Sequence, residues 1–388
     1  MDLRPTAEDQ AFRAEVRAFL AESLDGDFKE LRGRGGPGHE DEAIDERRAW
    51  ERHLGAHGWT GIGWAPGFGG RALPLDRQVV FNEEYVRADA PGRLGHIGET
   101  LAGPTIIAFG TPEQQGRFLP PILCGDELWC QGYSEPDAGS DLANVATRAE
   151  RDGDEWVVTG QKVWTSLAHV SDWCFVVART DPASTRHRGL SYLLVPLDQP
   201  GVDVRPIVQL TGSSEFNEVF FDGARTAAGN VVGPVGEGWR VAMGTLAFER
   251  GASTLGQVLY FEHELAMIVD AARANGTVGD PRVRQRLADV RGRLRIMRWN
   301  AVRFLASDRP ELTGAAMVTK LYWATLHRDM GELAADVLGM AGTVDDGRHA
   351  ALRRLFLFSR ADTIYGGSNQ VQRNVIGERA LGLPKEPR

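Results

Sequence analysis

The chain has 388 residues, 42% of them hydrophobic, more than one hydrophobic core commonly serves, so two or three packed domains are expected. Its formal charge of −9 argues against a nucleic-acid surface, although local arginines still leave room for a polyanionic ligand. No apolar run approaches the roughly 18 residues of a membrane span, the acidic, polar N-terminus lacks a signal-peptide core, and Cys124, Cys130 and Cys174 have no metal-type or redox-type spacing, so the expectation is a soluble, cytoplasmic, metal-free protein with reduced, packed thiols.

Taken in chain order, residues 8–24 place Phe12, Val16, Phe19 and Leu20 at helical spacing, one apolar face of an amphipathic first helix. The stretch from Asp25 to Gly38 is Gly-rich and charged; no strand precedes it, so it reads as a surface loop and not as a phosphate loop. Thr111-Pro112-Glu113-Gln114 supplies an N-cap, a proline at the first helical position and a Gln that completes a capping box. A helix therefore runs from there towards Leu123, after which Gly125-Asp126 and Leu128-Trp129-Cys130 mark a change to β-prone sequence.

Short strand-like runs follow up to about residue 232, at Trp156–Thr159, Trp173–Val177, Leu190–Val195 and Val219–Phe221, punctuated by Gly, Pro and Asp. That spacing favours an antiparallel barrel or sandwich over alternating β-α units. Beyond Gly238 the pattern returns to long helices, with Leu287, Val290, Leu294 and Met297 at three- and four-residue steps. The expected architecture is α+β and multidomain: an N-terminal helical domain over 1–125, a middle antiparallel β-barrel or sandwich domain over 126–235, and a C-terminal helical bundle over 236–388.

Two segments of the β region carry chemistry. Gln131 to Asp141 reads Gln-Gly-Tyr-Ser-Glu-Pro-Asp-Ala-Gly-Ser-Asp, and Trp164-Thr165-Ser166 follows. A flat, polar isoalloxazine ring needs an aromatic or apolar face plus hydroxyls and backbone N–H groups along its edge. Ser134 and Ser166 offer hydroxyls, Trp164 a broad face, and Gly139 a close backbone approach. Taken singly, Ser-Glu-Pro and Gly-Ser-Asp are also ordinary turn chemistry.

In this order, these residues resemble the acyl-CoA dehydrogenase family, whose middle domain carries a Thr-Glu-Pro-x-Ala-Gly-Ser-Asp loop and a Lys-x-Trp-x-Thr/Ser strand end. Gly58-Trp59 with Trp64, Gly69-Gly70 and Glu84 resembles the family's first-domain signature, and Tyr365 to Arg373 resembles its C-terminal cofactor turn. The resemblance implies FAD as cofactor, an acyl-CoA or acyl carrier protein thioester as substrate, an electron-transferring flavoprotein as acceptor, and a homo-oligomer, a tetramer or dimer, or a hetero-oligomer with a sibling chain. It also implies that Gln131, Tyr133 and Ser134 line the flavin edge, that Trp164, Thr165 and Ser166 pack against and bond the ring, and that Ser368 and Gln370 contact FAD. Ser140, Arg250 and Gly367 fall to the substrate, while Gln372-Arg373 reads as structural.

The family's reaction needs a carboxylate that removes the α proton of a thioester while the β hydrogen leaves as hydride. Many members place it directly after the Tyr of the C-terminal turn, where this chain has Gly366. Isovaleryl-, long-chain and some steroid side-chain members carry it on the first helix of the last domain, which here reads Met243 to Arg250 and assigns Glu249 as the base. Beside Phe248 and a flavin such a Glu would be partly desolvated, which raises its pKa towards neutrality, with Arg250 partly opposing. A surface ion pair between Glu249 and Arg250 is the bland alternative. The backbone at Gly366 and Gly367 then polarises the thioester carbonyl by oxyanion-hole logic, and the small pair leaves space for a branched or bulky acyl group.

The family pattern breaks in two places. The expected Arg-x-x-Phe-Gly is replaced by Ala271 to Asp280, and Gly-Gly-x-Gly by Gly339-Met340-Ala341-Gly342. Arg282, Arg284 or a partner chain would then hold the FAD pyrophosphate. The competing readings are a flavin monooxygenase or oxidase of the same fold, and a non-catalytic subunit of a hetero-oligomeric dehydrogenase.

Overall fold

The computed structural model describes residues 6–36, 39–248, 253–305, 317–344, 347 and 349–385. The chain forms two compact units, one of residues 1–78 and 87–251, the other of 79–86 and 252–388.

In the first unit, helix α1 (Ala7–Asp25) starts with a capping box in which the Thr6 hydroxyl accepts from Asp9 N and the Asp9 carboxylate accepts from Thr6 N, two otherwise orphaned donors. Its buried face is Phe12, Val16, Leu20 and Leu24; Phe12, Val16 and Leu20 are as the spacing predicts, while Phe19 is only half-buried. Helix α2 (Ile44–Ala56) buries Trp50 and Leu54, and helix α3 (Leu75–Arg87) contributes residues 79–86 to the second unit. After helix α4 (Gly103–Phe109), helix α5 (Pro112–Cys124) opens with the predicted Thr111–Gln114 capping box and stops at Gly125 in the left-handed region, φ 70°. The Gln114 Nε2 also donates to the carbonyls of Gly229 and Val231 at 2.6 and 2.8 Å, which pins α5 to the segment that follows the last strand. At the end of α5, Cys124 is exposed, so the expectation of packed thiols holds for Cys130 and Cys174 alone.

Seven strands form one sheet: β1 (Trp129–Gly132), β2 (Arg148–Asp152), β3 (Glu155–Ser166), β4 (Trp173–Arg179), β5 (Leu190–Pro196), β6 (Val202–Ile207) and β7 (Phe216–Ala227). The order is β1-β4-β2-β3-β7-β6, with β5 paired to β4. Most pairs are antiparallel, as the short, evenly punctuated strands suggest, and the sheet is a half-barrel. The β1–β4 pair is parallel, bringing Trp129 beside Trp173 and Cys130 beside Cys174, a register that no periodicity in the sequence reveals. Helix α6 (Gly238–Phe248) packs on this sheet: Val241 and Ala242 join Phe175, Tyr192 and Leu194 in one core, and Gly238 sits so close to Ser191 that an added Cβ would lie 2.3 Å from its carbonyl carbon.

At the centre of the sheet lies an ion pair. Lys162 on β3 is fully buried; its Nζ donates to the Glu135 carboxylate at 2.8 Å and to the carbonyls of Tyr133 and Val177 at 3.1 and 2.7 Å. Glu135 also accepts from the N–H groups of Ala146 and Thr147 at 2.6 and 2.9 Å. Burial opposes ionisation of Glu135, but the Lys162 charge and these hydrogen bonds outweigh it and hold the carboxyl below the ordinary glutamate value of 4.5.

The second unit is a helical bundle of α7 (Ser253–Ala274), α8 (Pro281–Leu305), α9 (Thr319–Leu338), α10 (Ala350–Asp362) and α11 (Asn369–Val375), joined by residues 79–86. Val290, Leu294 and Met297 of α8 are buried at the predicted spacing against Phe261, Leu265, Ile268, Leu326, Met330 and Leu355, with Leu287 at the margin. Among the described residues, no helix is long and apolar enough to cross a membrane.

Removing one member of the buried pair leaves the other uncompensated, so Lys162→Met is expected to lower unfolding stability by about 3–5 kcal/mol, with Lys162→Met/Glu135→Gln recovering most of that loss. Urea denaturation of the two variants checks this. Because Glu135 titrates lower when folded, its contribution is fully present above about pH 4.5 and is lost as pH falls through the lower folded value; Glu135→Gln is expected to flatten that acid limb of the wild-type profile.

Candidate active site

The sharpest local feature is Trp164. Strands β3 and β7 are in register at Lys162–Val219 and again at Thr165–Asn217, so Val163 and Trp164 together face Glu218 alone, a β-bulge. Trp164 takes the left-handed conformation, φ 61°, which a bulky residue rarely adopts and which costs on the order of 1–3 kcal/mol. The bulge turns the indole outward, 57% exposed and edge-on to Phe216. The neighbouring loop is tied to the same spot: Val163 N donates to Ser134 O at 2.9 Å, and Lys162 holds Tyr133 O and Glu135.

The strands nearby carry buried polar atoms without a hydrogen-bond partner among the described residues: Gln131 Nε2 on β1, Thr165 Oγ1 on β3, Asn217 Oδ1 on β7, and both carboxylate oxygens of Glu215 just before β7. Thr165 and Asn217 are fully buried, and Asn217 Nδ2 donates to Thr165 O at 3.1 Å. Buried polar atoms normally find partners, so an exposed aromatic face on strands that carry unsatisfied amide and hydroxyl groups fits a flat, polar ligand such as an isoalloxazine ring. Ser134 and Ser166 are half-buried beside it, and Ser140 is exposed on the loop.

The Tyr133 side chain is buried in the core, edge-on to Phe175 and Tyr192, with its hydroxyl donating to Ala242 O. Sequence reasoning passed over Lys162, Glu135 and Asn217, which hold the shelf in place. The first two lie inside the quoted motifs, yet strand alternation gives no reason to expect a buried lysine.

In the second unit, the turn after α10 places Gly366 and Gly367 consecutively in the left-handed region, φ 60° and 85°. Glycine adopts this without strain, and an added Cβ at 367 would come within 2.7 Å of Gln372 Nε2. Ser368 caps α11, its hydroxyl accepting from Val371 N, and Gln372 Nε2 donates to Gly366 O at 3.0 Å. Gln372 is thus structural, as expected, while Ser368 spends its side chain on the cap and Gln370 is exposed. Arg282 is exposed and paired with Asp280. Glu249 and Arg250 lie outside the described residues. Among those described, no group of three or more His, Cys, Asp or Glu could hold a metal ion.

The comparisons with known proteins agree over the full length. Family models described as acyl-CoA dehydrogenase N-terminal, middle and C-terminal domains match residues 6–126, 130–224 and 236–381. Acyl-CoA dehydrogenase IpdE1 of Mycobacterium tuberculosis is 60% identical over 97% of this chain and 98% of its own, and IpdE1 of Mycolicibacterium smegmatis is 59% identical over 98% and 99%. Among solved structures, a Tcur3481-Tcur3483 steroid ACAD superposes with a TM-score of 0.85 at 32% identity, covering 100% of both chains. With the models spanning all three regions, the chain belongs to the acyl-CoA dehydrogenase family, FAD-dependent enzymes of acyl thioester dehydrogenation.

Proposed function

We propose that this dehydrogenase acts on a bulky, polycyclic acyl-CoA of steroid origin, with Glu249 as the base that takes the α proton. The consecutive left-handed glycines at 366 and 367 carry this reading. A turn that needs φ 60° and 85° disfavours any side chain there, so the base has to come from elsewhere, and the chain's Glu249 matches the helix-borne carboxylate of related members. The same absence of side chains leaves room beside the acyl group. One neighbour, at TM-score 0.85 and 32% identity, is named a steroid ACAD, and another, the ChsE4-ChsE5 complex of Mycobacterium tuberculosis at TM-score 0.84 and 30% identity over 99% of this chain, is named as a complex of two chains.

Residues of the shelf hold the cofactor: Trp164 offers its face, Gln131 Nε2 and Thr165 Oγ1 the unsatisfied donors, Ser134 and Ser166 their hydroxyls. FAD, when bound, supplies the acceptor for the β hydrogen as hydride. Glu249 receives the α proton onto its carboxylate, and the N–H groups of Gly366 and Gly367 donate to the thioester oxygen as negative charge develops there. Ser140, Arg250 and Gly367 contact the thioester and its coenzyme. An electron-transferring flavoprotein re-oxidises the cofactor, in the cytoplasm, and the functional domains divide as 1–125, 126–235 and 236–388. Since the usual pyrophosphate arginine motif is missing, the chain works in a hetero-oligomer whose sibling supplies that arginine, rather than as a homotetramer or dimer relying on Arg282 or Arg284. Neither an oxygenase nor a non-catalytic subunit is favoured by the relatives.

Two outcomes are expected. Glu249→Gln retains the yellow colour and loses turnover by roughly a hundredfold or more, the usual span of general-base catalysis; wild-type kcat in that variant places the base elsewhere. Expressed alone, the chain carries less than a full complement of FAD and gains it on co-expression with a sibling dehydrogenase chain. A fully loaded protein that acyl-CoA bleaches anaerobically without any partner rules out the obligate hetero-oligomer.

A further inference from the structure

Behind the Gly366–Gly367 turn, the bundle buries a row of charged groups that the reaction described above does not use. His327 on α9 is 5% exposed, and its two ring nitrogens meet two carboxylates from different helices: Nε2 lies 2.8 Å from Glu264 Oε2 of α7, and Nδ1 bonds Asp362 Oδ2 of α10. The Phe261 ring stacks on the imidazole, centroids 4.1 Å apart and planes within 12°, which fixes its plane. Asp362 is itself 1% exposed, and its second oxygen accepts from the Tyr365 hydroxyl at 2.6 Å. Lys320 of α9 donates to Asp362 O at 2.6 Å. The chain of bonds therefore runs Glu264, His327, Asp362, Tyr365, and ends one residue before Gly366.

Three long helices bridged by a single imidazole need no such arrangement for stability alone, because a buried ionic group is often matched by apolar side chains of similar volume. What the row does supply is a fixed anchor. A double-glycine turn has little intrinsic preference for one orientation of its N–H groups, and Tyr365 Oη is the side-chain tether immediately before it, complementing Gln372 on the far side. We infer that Glu264, His327 and Asp362 are positioning residues, which through Tyr365 hold the Gly366 and Gly367 N–H groups in the orientation that polarises the thioester carbonyl. The inference rests on the carbonyl-polarising part of the proposed function. Burial disfavours the His327 cation, but Glu264 and Asp362 outweigh that and raise its pKa to about 9. A histidine raised from 6.5 contributes fully below about pH 6.5 and ceases to as pH climbs through about 9.

The test reads the carbonyl directly. FAD-loaded protein, with a sibling chain if one is needed, is saturated with pivaloyl-CoA carrying a 13C carbonyl, a thioester with no α hydrogen to lose, and its C=O stretch is recorded by isotope-edited infrared difference spectroscopy. Wild-type protein is expected to lower the stretch relative to free ligand, up to about pH 9 and less above it. Tyr365→Phe, which removes only the hydroxyl, and His327→Gln are expected to lose half or more of that lowering. The pH dependence disappears in His327→Gln, and with a true substrate kcat falls roughly tenfold with KM little changed, a smaller loss than deleting a whole oxyanion donor. Wild-type-like lowering in Tyr365→Phe overturns the inference even if His327→Gln fails to fold. An unshifted carbonyl in the wild type itself overturns the underlying role of Gly366 and Gly367, a separate result.

Discussion

Lys162 has no exposed surface, and an ammonium group so placed survives only where opposite charge and hydrogen-bond acceptors surround it. Glu135 and the carbonyls of Tyr133 and Val177 do this, and in doing so they lock three pieces of chain together: the loop after β1, strand β3 and strand β4. Glu135 in turn gathers the N–H groups of Ala146 and Thr147 from the far end of the same loop. The Ser-Glu-Pro and Lys-Val-Trp segments are thus two halves of one staple. Any ligand read from the residues around them depends on the staple being closed.

With the staple closed, the two-for-one mismatch against β7 has to be absorbed within Val163 and Trp164, and the cost appears as a left-handed tryptophan. Strain of this kind is retained where surrounding structure over-determines it, and here it turns a large aromatic face outward on the strand that also carries the unsatisfied Thr165 hydroxyl. The C-terminal bundle follows a comparable logic. Its own buried charges end at a turn whose two glycines take left-handed backbone angles. In both units an interior ionic arrangement is bonded to a short segment of left-handed backbone.

Much of this was legible in the sequence, for reasons that differ by element. The capping boxes and the α8 stripe are local patterns, and Phe12, Val16, Leu20, Val290, Leu294 and Met297 are buried where helical spacing puts them. Most of the short strands were readable from composition, but β2, β6, the parallel β1–β4 pairing and the packing of α6 on the sheet depend on contacts that no local pattern reveals. Period-two alternation places Lys162 and Trp164 on one face; the bulge separates them, so that one is buried and the other exposed. The burial of the Tyr133 side chain was not legible for a related reason, because a motif names a residue without saying where its side chain packs. The Glu264–His327–Asp362 row left no local trace, its members being 63 and 35 positions apart.

A crystal structure of the FAD-loaded protein shows whether the isoalloxazine ring lies on the shelf of Gln131, Trp164 and Thr165. The ring is expected against the outward face of Trp164, with Gln131 Nε2 and Thr165 Oγ1 each gaining a ring acceptor or donor at about 3 Å. A ring bound elsewhere, with those two atoms still unpartnered and the indole facing solvent, would contradict it.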